Sequence, residues 1–302
     1  MLSYIYKQYF WDSLGYYPCN LQQIEKGTAM SRKLFCEISP FTYRIAQTKN
    51  IFFRNVKDVF EKNKLAKEKS DEALPVVIYR HNSLIRRVLG NTDISLQENK
   101  AANLAIATPK VNGILIRPGE TFSFWKLVGR PSKRKGYKEG LMISNSEAKA
   151  GIGGGMCQFT NLIHWMILHT PLEIVEHHHH DRFDLFPDFN RQIPFGTGTS
   201  IAYNYIDYRF RNNTDKTFQL IVYTTDTHLC GELRASEPLN VKYHITTEGE
   251  RFVREGEKVY REGKVVRSCI DKRTGNIIST DLIRNNHAEV MYDTSHLTIT
   301  KK

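Results

Sequence analysis

Hydrophobic positions along the chain change their period several times, and each change predicts an element. Between Ile45 and Lys69 the apolar residues Ile45, Ile51, Phe52, Val56, Val59 and Phe60 recur at helical spacing among Lys and Glu, which predicts an amphipathic helix with a solvated polar side from Glu61 to Asp71. Pro75 resets the chain, and Val76 to Tyr79 is strand-like. Gln97 to Thr108, rich in Ala, Leu and Asn, reads as a second helix that ends before Pro109. Val111 to Ile116 then reads as a strand or two around a turn, and Arg117-Pro118-Gly119-Glu120 as a tight turn. Phe122, Phe124 and Trp125 behind it form an aromatic cluster suited to a core, while Pro131 to Gly140, with Lys133, Arg134, Lys135 and Lys138, reads as a flexible basic loop.

The apolar run Phe159 to Leu168 predicts a buried helix stopped by Thr170-Pro171, and Leu172 to Glu176 a short strand leading into four consecutive histidines, His177 to His180. Phe183 to Gly198 is an irregular packed loop. Short runs at Ile201 to Tyr205, Tyr208 to Arg211, Phe218 to Thr224 and Leu229 to Ala235, with a turn at Asn212 to Asp215, predict an antiparallel meander. Past Pro238 the composition shifts to charged hairpins, with turn signals at Glu255-Gly256-Glu257 and at Arg273 to Asn276. The expected fold is α+β: N-terminal helices and a central glycine-loop and cysteine helix packed on an antiparallel β-sheet, with a C-terminal β-hairpin appendage. The expected organisation is a dispensable extension at 1–29, an α+β domain at 30–238 and a β-rich appendage at 239–302.

Composition adds limits. The 302 residues are 40% hydrophobic, enough for a full core. No run approaches the roughly eighteen apolar residues of a membrane span, and Met1 to Asn20 lacks the layout of a signal peptide. The five cysteines, Cys19, Cys36, Cys157, Cys230 and Cys269, are widely spaced and include no C-x-x-C pair, which fits reduced thiols and a cytoplasmic location. The net charge of +11 is spread along the chain with no recognisable nucleic-acid module, so a nucleic-acid partner is not expected; anionic lipid or substrate attraction and simple solubility are the remaining readings.

Candidate chemistry concentrates at Gly151-Ile152-Gly153-Gly154-Gly155-Met156-Cys157-Gln158. Glycines there permit positive φ and close approach of a ligand, and Cys157 falls at a helix N-terminus, where aligned peptide dipoles favour a thiolate. Helical spacing sets Cys157, Asn161 and His164 along one side, with His164 about 10 Å along the axis from the cysteine and therefore packed or pocket-lining. On a strand, His178 and His180 share one face and His177 and His179 the other. Three site readings compete. In the first, Cys157 is a nucleophile, His178 or His180 its base, glycine-loop N–H groups oxyanion donors and Asp207 the orienting carboxylate. In the second, Cys157, His178 and His180 hold zinc, although no cofactor is favoured. In the third, a non-catalytic module uses Gly153, Gly154, Gly155, Gln158, Asn161 and Trp125 to hold an anionic ligand.

Several of these stretches occur together and in order: Arg117-Pro118-Gly119-Glu120-Thr121-Phe122-Ser123-Phe124-Trp125, then Gly-Gly-Gly-Met-Cys-Gln-Phe-Thr-Asn from Gly153, then Glu176 with its histidines, then Arg211-Asn212-Asn213-Thr214-Asp215. In this the chain resembles the VanW family from about Met30 onward. The resemblance implies an association with cell-wall precursor metabolism or glycopeptide resistance, with a peptide or precursor as ligand, and carries over no established reaction. It also favours the even histidines, His178 and His180, over their neighbours. Joined to the first site reading, it makes a cysteine-dependent acyl transferase or amidohydrolase acting on a peptide the leading expectation, and a non-catalytic binder of a cell-wall peptide the alternative.

Overall fold

The computed structural model describes residue 35 and residues 38–301, apart from 61–63, 87–93, 145–146, 180–181, 186, 189–192 and 204. The proposed extension at 1–29, with Cys19, and also Cys36 and His180 lie outside the described residues. The chain divides into two compact units, one formed by Met1–Lys62 with Asn204–Ile206 and the other by Asn63–Tyr203 with Asp207–Lys302.

In the first unit the described residues include the helix α1, from Pro40 to Phe60. Ser39 starts it, with reciprocal bonds between Ser39 and Thr42 through backbone N–H and hydroxyl groups at 2.9 and 3.2 Å. It begins earlier and ends sooner than the apolar spacing predicts. In the second unit, Leu65 and Lys69 lie in isolated bridges to Thr121 and Ile114, so part of the expected polar helical side is extended chain.

The second unit is built on β1 (Val76–Leu84), α2 (Ile94–Val111), β2 (Ile114–Ile116), β3 (Thr121–Ser123), the short helix α3 (Phe124–Val128), β4 (Glu139–Ser144), β5 (Glu147–Ile152) and α4 (Met156–Leu168). It continues through β6 (Glu173–Glu176), β7 (Phe183–Asp184), β8 (Arg209–Arg211), β9 (Phe218–Thr224), β10 (His228–Ala235), β11 (Val241–Glu255), β12 (Lys258–Asp271), β13 (Ile277–Val290) and β14 (Ile299–Lys301). The fold is α+β. Its central sheet has the order β1-β10-β9-β2, antiparallel throughout, and α2 and α4 pack on it. Leu104, Ala107, Val111, Phe159, Leu162, Ile163 and Met166 from these helices are essentially inaccessible and join Phe218, Leu220, Leu229 and Leu233 of the sheet in one core. Helix α2 runs past Pro109 to Val111, because the chain resumes the helical ladder at once: Asn112 N–H donates to Thr108 O at 2.8 Å. A proline costs a helix its own missing N–H and a clash one turn back, and near the last turn that cost is small.

The expected meander separates into two pieces. β9 and β10 form a hairpin of the central sheet, whereas β8 belongs to a three-stranded sheet of order β3-β8-β6. Residues Ile201 to Tyr203 form no strand. The third sheet, β14-β11-β12-β13-β7, is dominated by the long antiparallel strands β11, β12 and β13, with β14 and β7 added in parallel at its edges. It packs Ile245 and Val265 against Trp165 and Leu168 of α4. Among the described residues no helix is long and apolar enough to cross a membrane.

Candidate functional site

The β4–β5 hairpin delivers the glycine turn to the start of α4. Gly155 is the N-cap with φ of 106°, a conformation that penalises any residue with a Cβ. A Cβ there would lie 2.5 Å from Lys100 Cγ, and one on Gly154 would lie 2.2 Å from the Gly140 carbonyl carbon. These glycines are thus required by close packing against α2 and β4. Asn103, fully buried on α2, fastens the same turn: its amide donates to Gly154 O at 2.9 Å and to Lys138 O at 3.0 Å, while its oxygen accepts from Lys138 N–H at 2.7 Å. The N–H groups of Gly153 and Gly154 donate to Lys138 O and Gly151 O at 3.0 and 3.1 Å. Two of the donors expected to cradle a ligand are therefore engaged inside the turn.

Cys157 is the second residue of α4, half-buried as a residue, with its sulfur enclosed. Burial raises the thiol pKa above its usual value, with the backbone N–H groups of Ile201 and of Cys157 itself pulling the other way. The helix N-terminus alone predicts the opposite direction; desolvation of the charged form outweighs it. The next polar residues are tied down. Gln158 donates to Ser83 Oγ and Leu84 O, both at 2.8 Å, pinning the end of β1. Asn161 Oδ1 accepts from Thr199 N–H at 2.7 Å and from Thr199 Oγ1 at 2.8 Å, and Thr160 Oγ1 lies 2.5 Å from Thr199 Oγ1. An extended segment from Gly198 to Ile201 consequently crosses the first turns of α4 and meets the cysteine.

On its other side this segment meets the histidines. Ser200 N–H donates to His178 O at 2.7 Å, and His177 Nε2 donates to Gly198 O at 2.8 Å. His179 Nε2 lies 3.2 Å from the point a Cβ on Gly198 would occupy, with Asn161 Oδ1 3.9 Å from that point. His177 also stacks on His164 of α4, ring centroids 4.3 Å apart, and His164 Nδ1 is 3.0 Å from the Tyr208 hydroxyl. The odd-numbered pair thus lies toward α4. His178 Nε2 instead faces Glu176 Oε1 at 3.2 Å. Burial lowers the His177 pKa to about 4 and that of His164 well below its usual value, so both imidazoles are neutral near pH 7.

Asp207 is fully buried and accepts from Ser123 Oγ at 2.5 Å, Trp125 N–H at 3.0 Å, Tyr208 N–H at 2.9 Å and Arg209 Nε at 2.8 Å. Burial, then the negative charge of Glu176, raise its pKa, with Arg209 and Ser123 opposing. Its bonds fix the start of α3 and the β8 strand. The carboxylate that meets a histidine of the 177–179 segment is that of Glu176, whose Oε1 also accepts from Asp207 N–H at 2.8 Å. The signal that could have found it is its place on β6, two residues before His178. Trp125 is 5% exposed and packs edge-on against Phe124 and Tyr203, so it sits in the core as the aromatic cluster predicts. Among the described residues, the one convergence of three metal-ligand side chains is Glu255, Glu262 and His287 on the C-terminal sheet, with Arg251 also on Glu262.

The family described as VanW like protein matches residues 99–234, which span the glycine turn, Cys157, the histidines and Asp207. The vancomycin B-type resistance protein VanW of Enterococcus faecalis (strain ATCC 700802 / V583) is 34% identical over 265 residues, 87% of this chain and 95% of that protein. The uncharacterized protein YoaR of Bacillus subtilis (strain 168) is 28% identical over 118 residues, 39% of this chain and 37% of that protein. No solved structure matches.

Proposed function

The chain belongs to the VanW family, and from that premise we propose that it acts in resistance to a vancomycin-type glycopeptide, on a peptide-bearing cell-wall precursor, through a thiol centre at Cys157. The role rests on the 34% identity that extends over 95% of the Enterococcus protein. The thiol chemistry is read from one arrangement: Thr199 lies over the first turn of α4, bonded to Asn161 through its N–H and hydroxyl and with that hydroxyl 3.4 Å from Cys157 O.

Such a centre performs acyl transfer. The sulfur attacks the carbonyl carbon of an amide, its proton passing to an imidazole; the C–N bond breaks and the amine leaves with that proton. Water or an acceptor amine then attacks the thioester, and the thiol is restored. His179, near Asn161 on the α4 side, is the first base to test, and His178 would have to turn away from Glu176 to serve.

The raised thiol pKa favours a second reading, in which Cys157 is packing within a module that binds the precursor without chemistry. Engagement of the Gly153 and Gly154 N–H groups weakens the anion-cradle form of that reading. Alkylation of Cys157 by iodoacetamide, followed by peptide mass against pH with and without a precursor peptide and with and without chelator, separates the readings. Alkylation that accelerates with the peptide, together with loss of resistance in Cys157→Ser, supports the enzyme. An inert thiol and a fully resistant Cys157→Ala strain support the binder. Protection that chelator removes supports a zinc site at Cys157.

A further inference from the structure

Helix α1 carries an exposed apolar face. Phe41 is 71% exposed, Phe52 61%, Val59 75% and Phe60 80%, and Ile45 is 44% exposed. Phe41, Ile45, Phe52 and Val59 follow one another at spacings of four, seven and seven residues, which sets them on a single stripe of the helix. No described residue of this unit buries that stripe. The charges around it share one sign: Arg44 and Lys49 are its exposed charged residues, and the sole acid of the helix, Asp58, is buried.

From this pattern we infer that α1 is an interfacial helix that lies on an anionic lipid surface, its phenylalanine stripe entering the headgroup and acyl boundary and Arg44 and Lys49 meeting the lipid phosphates. A helix of about 30 Å with aromatic residues on one face and only basic charges beside them has the composition such binding requires. The occupant follows from charge. A second copy of the helix would bring Arg44 and Lys49 against their own kind, whereas an anionic bilayer complements them and attracts a chain of net charge +11. The stripe enters no further than the interface, since no described helix has the length and apolarity of a span. The inference is independent of the chemistry at Cys157.

The test is co-sedimentation of the full chain with phosphatidylcholine vesicles that contain or lack phosphatidylglycerol. Binding to the anionic vesicles is expected, with a partition coefficient reduced about tenfold or more in Phe52→Ser/Val59→Ser, as loss of two partly buried apolar side chains requires. Phe52→Leu, which keeps the stripe apolar, is expected to bind as the parent does, and circular dichroism of each variant checks that the helix persists. Arg44→Gln/Lys49→Gln is expected to weaken binding to the anionic vesicles alone. Binding that survives Phe52→Ser/Val59→Ser would reduce the effect to net charge and overturn the inference. So would absence of binding to either vesicle, or a dimer in light scattering that the same double variant dissolves.

Discussion

Asp207 holds four donors from three elements, and its neighbour Arg209 is only 4% exposed, so the pair is a buried junction among β3, α3 and β8. Replacing Asp207 with Asn removes the charge that balances Arg209 and turns one acceptor into a donor facing other donors. The expected loss is about 3 kcal/mol of stability, read as a lower midpoint in urea. A stability change under 1 kcal/mol with a large loss of thiol reactivity would instead return Asp207 to the catalytic list. Sequence offered Asp207 as an acid on a strand near the histidines, and that much was legible. Its partners were not, because Ser123 and Trp125 lie more than eighty residues away and nothing local announces the contact. Cys157 teaches the same lesson in the other direction. Its helix and its position at the helix start follow from the glycine run and the apolar run, whereas the covering segment at Thr199 and Ile201, which decides its ionisation, belongs to a loop with no periodic signal.

At the scale of elements, the loop that leaves the histidines is held by the C-terminal sheet. Arg261 of β12, 4% exposed, reaches Asp184 at 3.2 Å and also bonds Asp188 and Glu250, and its guanidinium stands 4.4 Å from the Phe195 ring centroid. Burial alone would lower its pKa; the carboxylates of Asp188 and Glu250 outweigh that and raise it. Asn286 of β13 adds a bond to Phe195 O at 3.0 Å. Arg261→Leu leaves those carboxylates without their shared cation, and an expected cost of about 3–5 kcal/mol follows. Because the same loop returns as Gly198 to Ile201, the variant is also expected to expose Cys157 to iodoacetamide faster at pH 8. Unchanged alkylation with lowered stability would mean that the sheet and the covering segment are uncoupled. The strands β9, β10, β11, β12 and β13 were readable from alternation and from turns at Gly256 and Gly275, whose φ values are positive. What alternation could not give is which sheet each strand joins. β8 reads like a neighbour of β9 along the chain, yet its buried Phe210 stacks on Phe122 of β3 at 4.7 Å, and that packing sets its sheet.

Across the second unit as a whole, three histidines with lowered pKa line the seam where α4 meets the histidine segment and the C-terminal sheet. His164 is lowered by burial and then by His177 and His179; His177 and His169 are each lowered to about 4, by burial first. His169 stacks on Tyr79 of β1 at 3.7 Å and sits edge-on to Trp165. In the unfolded chain each imidazole takes up a proton near pH 6.5, whereas in the folded chain His169 and His177 do so only near pH 4, so the unfolded state binds more protons in between. Stability from these groups is fully present above pH 6.5 and is lost as the pH falls toward 4. Each group contributes at most about 1.4 kcal/mol per pH unit across that window. Thermal unfolding is therefore expected to shift downward steeply between pH 6.5 and 5 while changing little between pH 7 and 8. His169→Phe, which keeps an aromatic ring against Tyr79 without a titrating nitrogen, should flatten that slope and raise the midpoint at pH 5 relative to the parent. A midpoint level from pH 7 to pH 5 would show that the seam admits protonated imidazoles without cost, and then the packing of α4 against the C-terminal sheet could not depend on their neutrality.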